Sequence, residues 1–113
     1  MIIKKIEEIS ATEVKEEGAV GVSLKIIAGK DDGAPNFVMR HFTIEKCGHT
    51  PFHSHAWEHE IFVLSGKGML RSAQGKTLLT PGMAVFVPPN EMHSFLADEK
   101  EPLSFICVIP RID

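Results

Sequence analysis

The chain predicts an all-β fold, a single-domain sandwich or barrel of about eight strands, and three observations carry that expectation. Short apolar-rich runs alternate with clusters of Gly, Pro, Asn and Asp along most of the sequence, which is the rhythm of strands and tight turns. No long stretch repeats its apolar residues with the 3.6-residue period of a helix. At 113 residues the chain fits one domain over 1–113, long enough to bury a core without staples.

Taken in order, residues 1–19 leave two readings open. IEEISATEVKEEG is an edge strand, or a helical turn capped near Ser10 or Thr12. The strand-like runs that follow are VGVSLKIIAG (20–29), FVMRHFTIE (37–45), EIFVLSG (60–66), GMLRSA (68–73), KTLLT (76–80), MAVFVP (83–88), HSFLAD (93–98) and LSFICVIP (103–110). Turns fall at KDDGAPN, KCGH, SGKG, AQGK, TPG, PPNE and DEKEP, with Gly66, Gly68, Pro81, Gly82 and the Pro88–Pro89 pair as turn-formers. Eight strands spaced so closely make a sandwich or barrel, and a jelly roll is the commonest way to arrange them.

Composition removes several classes of function. The chain is 43% hydrophobic and 24% charged with a net charge of −3, ordinary for a soluble globular protein. Without a lysine/arginine run, neither a nucleic acid nor an anionic membrane is expected as a partner. The start, MIIKKIEEIS, lacks the apolar stretch of a secretory signal. MAVFVPP and FICVIP are too short for a bilayer span. The expected location is cytoplasmic, where the two distant cysteines, Cys47 and Cys107, stay free thiols.

Four of the six histidines, His49, His53, His55 and His59, fall within eleven residues. His53 and His55 are one residue apart, so on a strand both imidazoles would face the same side. His59 comes four residues later, after a segment long enough for a turn or bulge. His93 follows the stiff VPPNEM and opens another strand.

These residues resemble the two motifs of the cupin superfamily, G(X)5HXH(X)3,4E(X)6G and G(X)5PXG(X)2H(X)3N. The first falls on Gly48, His53, His55, His59 and Gly66 (48–66), the second on Gly82, Pro88, Asn90, His93 and Ala97 (82–97). The resemblance implies a cupin jelly-roll barrel with a divalent metal held by His53, His55, His59 and His93. It departs from the pattern in four places. The first gap is one residue short, Asn90 replaces a glycine, Ala97 replaces an asparagine, and His59 stands where the family usually has glutamate. Asparagine tolerates the left-handed backbone such a turn needs. Six residues separate His59 from Gly66 and only five follow Glu60, so the ligand register falls on His59. The likeness is to small single-domain, four-histidine cupins, manganese-binding members among them, and many small cupins are homodimers.

Imidazoles on a barrel's inner face without a metal would leave several ring nitrogens needing partners. Four neutral imidazoles also leave the charge of a divalent ion uncompensated, so such a site attracts an anionic ligand. Zinc would be filled by four ligands. Manganese or iron, preferring six, keeps two positions open; nickel, cobalt, zinc or copper compete for the site in a purified sample. The expected function is a metal-dependent, dioxygenase-type oxidation of a small organic substrate. The alternatives are a non-catalytic binding or sensing cupin, or a metal-dependent isomerase or epimerase.

Phe105 and Cys107 share one face of LSFICVI; they line the cup near the metal or simply pack the core. Only one of the neighbours Arg40 and His41 can face the cup. Arg40 there would clamp a carboxylate and His41 would move a proton; a surface role is the other reading for both. Trp57 covers the cup mouth or packs. Glu58 or Glu60 would orient an imidazole unless both are solvated. His49 is expected in a solvated turn.

Overall fold

A computed structural model of the chain describes residues 1–113. Nine strands form one curled sheet: β1 (Thr12–Glu13), β2 (Val20–Ala28), β3 (Phe37–His49), β4 (His59–Gly66), β5 (Gly68–Ser72), β6 (Gly75–Leu79), β7 (Ala84–Val87), β8 (His93–Ala97) and β9 (Leu103–Pro110). The hydrogen-bonded order is β6-β5-β8-β3-β9-β4-β7, with β2 on β3 and β1 on β2. Every pairing is antiparallel. This is the expected jelly-roll barrel. No helix is long and apolar enough to cross a membrane.

Alternation in the sequence decides which way each strand faces. In β9, Leu103, Phe105, Cys107 and Ile109 are buried, while Ser104, Ile106, Val108 and Pro110 are half-buried. In β4, His59, Ile61 and Val63 are buried, and Glu60 and Phe62 are exposed. Register sets the inward side chains in layers, Arg40–Cys107–Ile61 and then Phe42–Phe105–Val63. Phe105 stacks on Phe42 at 5.3 Å and meets Phe95 at 4.7 Å between ring centroids, forming the floor beneath the histidines.

Two parts of the chain differ from the sequence expectation. The KCGH segment is not a turn. β3 runs on to His49, first along β9 and then along β8 through the His49–Leu96 pair. Cys47, at φ 63°, makes the corner, a bulged strand passing from one side of the barrel to the other. Gly48 is needed there because a Cβ would lie 2.5 Å from the Val20 carbonyl oxygen. His49 is therefore a half-buried strand residue. Second, in residues 1–19 the edge-strand reading holds at β1, whereas no helical turn is capped at Ser10 or Thr12; a 3-10 turn lies upstream at Ile6–Glu8, with Lys5 at its N-cap and no side-chain cap.

Candidate metal centre

His59 is the first residue of β4 and His93 the first of β8, each starting a strand at the cup mouth, 5% and 4% exposed. His53 and His55 do not sit on a strand, contrary to the expectation. His53 makes one isolated bridge to His93, and His55 belongs to no strand. A loop brings their rings together instead of strand alternation, and hydrogen bonds hold it. His53 N–H donates to the His93 carbonyl (3.1 Å) and His93 N–H to the His53 carbonyl (2.9 Å). Asn90 N–H donates to the His55 carbonyl at 2.6 Å, and Asn90 has φ 67°, the left-handed turn expected of it. Buried Thr50 ties the loop to β8, its hydroxyl accepting from Phe95 N–H at 2.8 Å while its carbonyl accepts from the Ser94 hydroxyl at 2.7 Å.

Ligand-capable atoms of His53, His55 and His93 lie within 4.8 Å of one another. His53 Nε2 faces His55 Nε2 at 3.2 Å. His59 stands beside this trio, its ring centroid 5.0 Å from those of His55 and His93, and its Nδ1 is buried without a protein partner. His93 Nδ1 lies 2.9 Å from the Glu91 carbonyl. A carbonyl only accepts, so the proton is assigned to Nδ1 and the Nε2 lone pair is left free.

Burial, then the neighbouring imidazoles, pushes His59 down to about 3 and His55 down to about 4. Burial also lowers His93, against a pull upward from its hydrogen bond to Glu91. These rings are neutral at pH 7, the state a metal ligand requires. Converging neutral imidazoles with one buried ring nitrogen unpartnered fit a divalent cation; the cluster allows a metal ion.

The trio opens on a cavity of about 190 Å³ that Arg40, Trp57, Phe105 and Cys107 also line. Of the adjacent pair, Arg40 faces the cup. Its Nη2 donates to Cys107 Sγ at 3.3 Å, and its guanidinium lies 4.9 Å from the Phe42 ring centroid. Burial raises the Cys107 thiol, which stays protonated. His41 faces outward, its Nε2 3.3 Å from the Ser104 hydroxyl. Trp57 stacks on His55 at 4.7 Å and 9°. Glu58 and Glu60 are both exposed, and the Glu58 carboxylate, accepting a hydrogen bond from protonated Glu60, raises Glu60.

The carboxylate that meets an imidazole of the cluster is one the sequence did not single out. Glu16, from the N-terminal segment, accepts a hydrogen bond from His53 Nδ1 at 2.9 Å. Nothing in KEEG marks it, since its partner lies 37 residues away in sequence.

The comparisons with known proteins agree with the fold. The cupin domain family model matches residues 40–109. The polyketide cyclase RemF from Streptomyces resistomycificus is similar in structure, with a TM-score of 0.90 at 34% identity over 96% of this chain and 80% of that one. A predicted oxalate decarboxylase from Thermotoga maritima aligns with a TM-score of 0.85 over 98% of this chain and 100% of that one; at 20% identity it speaks to the fold alone. A 1-methylthio-D-xylulose 5-phosphate methylsulfurylase from Rhodospirillum rubrum is 27% identical over 71 residues, 63% of this chain and 46% of the relative. This chain thus aligns with about half the length of that curated relative. The matched model covers both motifs and the whole histidine cluster, and the chain belongs to the cupin family.

Proposed function

We propose that the protein is a metal-dependent enzyme acting on a small organic anion, with the ion held by His53, His55, His59 and His93. The observation that carries this reading is the fixed cation Arg40 in the same cavity as the converging imidazoles. A cavity of about 190 Å³ is below the roughly 300–1,000 Å³ of drug-sized sites, so the substrate is small. Arg40 offers its guanidinium to a carboxylate or enolate oxygen. Phe42, Phe95 and Phe105 supply an apolar floor, and Trp57 shields one face of His55 from water.

A bound divalent ion, manganese or iron by its preference for six ligands, supplies Lewis acidity and open coordination positions to this pocket. For the reaction class we retain a dioxygen-dependent oxidation of an enolisable anion. A second reading, redox-neutral ring closure, is favoured by the 34% identity to a polyketide cyclase.

Metal analysis of protein grown with manganese, iron or zinc, beside a His53→Ala/His93→Ala variant, tests the reading. Near-stoichiometric manganese or iron, lost in the variant, is the expected result; metal content indifferent to the two histidines overturns it. Oxygen uptake by the loaded protein with small 2-oxo and 1,3-dicarbonyl acids then separates the branches. Uptake supports oxidation, product without uptake supports ring closure or isomerisation, and a ligand bound but unchanged makes the protein a binding module.

A further inference from the structure

We infer that Glu16 is a positioning residue for the metal centre, fixing the His53 tautomer and supplying the negative charge that the His59 position lacks. The inference rests on the metal-centre reading above. The family pattern has a carboxylate where this chain has His59, so the four imidazoles alone bring no charge to a divalent ion. The structure brings a carboxylate to the same cluster from elsewhere. Glu16 accepts from His53 Nδ1 at 2.9 Å, with 52% of its side chain still exposed against 25% for His53. A carboxylate can only accept, so it holds the proton on Nδ1 and turns the Nε2 lone pair toward His55 Nε2, 3.2 Å away.

Glu16 lies outside the residues that match the family model, and the fold sets its place. Thr12–Leu24 and Glu13–Ser23 pair β1 with β2. Val14 N–H donates to the Val22 carbonyl (2.9 Å), and Ala19 N–H closes a turn on the Glu16 carbonyl (3.0 Å). That turn needs Gly18, at φ 93°, where an added Cβ would lie 3.4 Å from the Cβ of Pro51, two residues before His53. The N-terminal segment is thereby anchored on both sides of Glu16, at the cavity that Val14 and Glu16 both line.

The test compares Glu16→Ala and Glu16→Gln with the parent chain. In metal-free protein at pH 7.5, long-range 15N–1H spectra read the His53 tautomer directly. The parent is expected to show the Nδ1–H form, the Ala variant a mixture of both forms, and the Gln variant the parent form, because its amide oxygen still accepts. Manganese affinity, measured against a competing chelator, is expected to fall about 10–100-fold in the Ala variant. A smaller fall is expected in Gln, which keeps the hydrogen bond and loses the charge. An unchanged tautomer and unchanged affinity in the Ala variant overturn the inference. A parent chain that binds no metal through His53 overturns the metal-centre reading instead, and the tautomer measurement still decides whether Glu16 orients the ring.

Discussion

His55, His59, His93 and His41 share one physical condition: burial holds each below the ordinary histidine value. The unfolded chain releases these protons near pH 6.5, whereas the folded chain keeps the rings neutral to lower pH. Below about 6.5 the unfolded state therefore binds more protons, and folding stability is lost as pH drops through that window; above it the stability is fully present. Metal-free protein is expected to unfold at clearly lower urea concentration at pH 5 than at pH 7. His41 separates this from metal binding, because it lies on the outer face, beside Ser104 and within the field of Lys25. His41→Gln is expected to remove part of the pH dependence in metal-free and metal-loaded protein alike. A parent chain equally stable at both pH values would contradict the burial argument.

At the scale of elements, the turn from β4 to β5 shows why a motif glycine is needed. Gly66 has φ 83°, and a Cβ there would run into the Pro102 carbonyl; Gly82, before β7, has φ 89° and open space around it. Both positions carry the left-handed strain of an L-residue, about 1–2 kcal/mol, but only Gly66 adds overlap with backbone. Gly66→Ala is expected to destabilise by roughly 2–4 kcal/mol and Gly82→Ala by about 1 kcal/mol, read as urea midpoints at unchanged slope. Equal losses would mean that the Pro102 approach relaxes freely. These turns, and the strands from β2 to β9, were legible in the sequence because Gly and Pro punctuate alternating runs. So was the left-handed Asn90. Less legible was whatever depends on distant contact. The corner at Cys47 reads locally as a turn, and the pairing of His49 with Val20 and Leu96 makes the segment strand. His53 and His55 looked like strand neighbours, whereas hydrogen bonds to His93 and Asn90 hold them in a loop. Whether Arg40 or His41 faces the cup was open in the sequence, and register with Cys107 and Ile106 settles it.

For the whole molecule, the sheet that forms one wall of the cup has a second face. Register aligns Met39, Val108, Glu60 and Phe86 across it, and His41, Ile106, Phe62 and Ala84 in the next row. Met39, Phe62 and Phe86 are 42%, 48% and 59% exposed, and a shallow apolar hollow bounded by Ala34, Phe37, Met39 and Val108 extends the patch. Three strands of about eight paired residues and the four-residue β7, about 4.8 Å apart, give roughly 450 Å² of plane. Side-chain relief raises that toward the ~800 Å² per partner of a standard interface. A largely apolar face of this size, interrupted only by Glu60 and His41 in these rows, is where an association site is expected. The occupant we propose is a second copy of this chain, since a two-fold contact sets the flat patch against itself and covers both copies at once. The expected solution mass is twice 12.5 kDa by light scattering, and Phe62→Lys/Phe86→Lys is expected to halve it. The variant should keep its metal content, because these side chains point away from the cup that Phe105 and Cys107 line on the other face of β9. A parent chain that is monomeric at 50 µM excludes self-association, and binding of a different protein to this face would then give the patch another occupant. A folded variant that stays dimeric would move the interface to another surface.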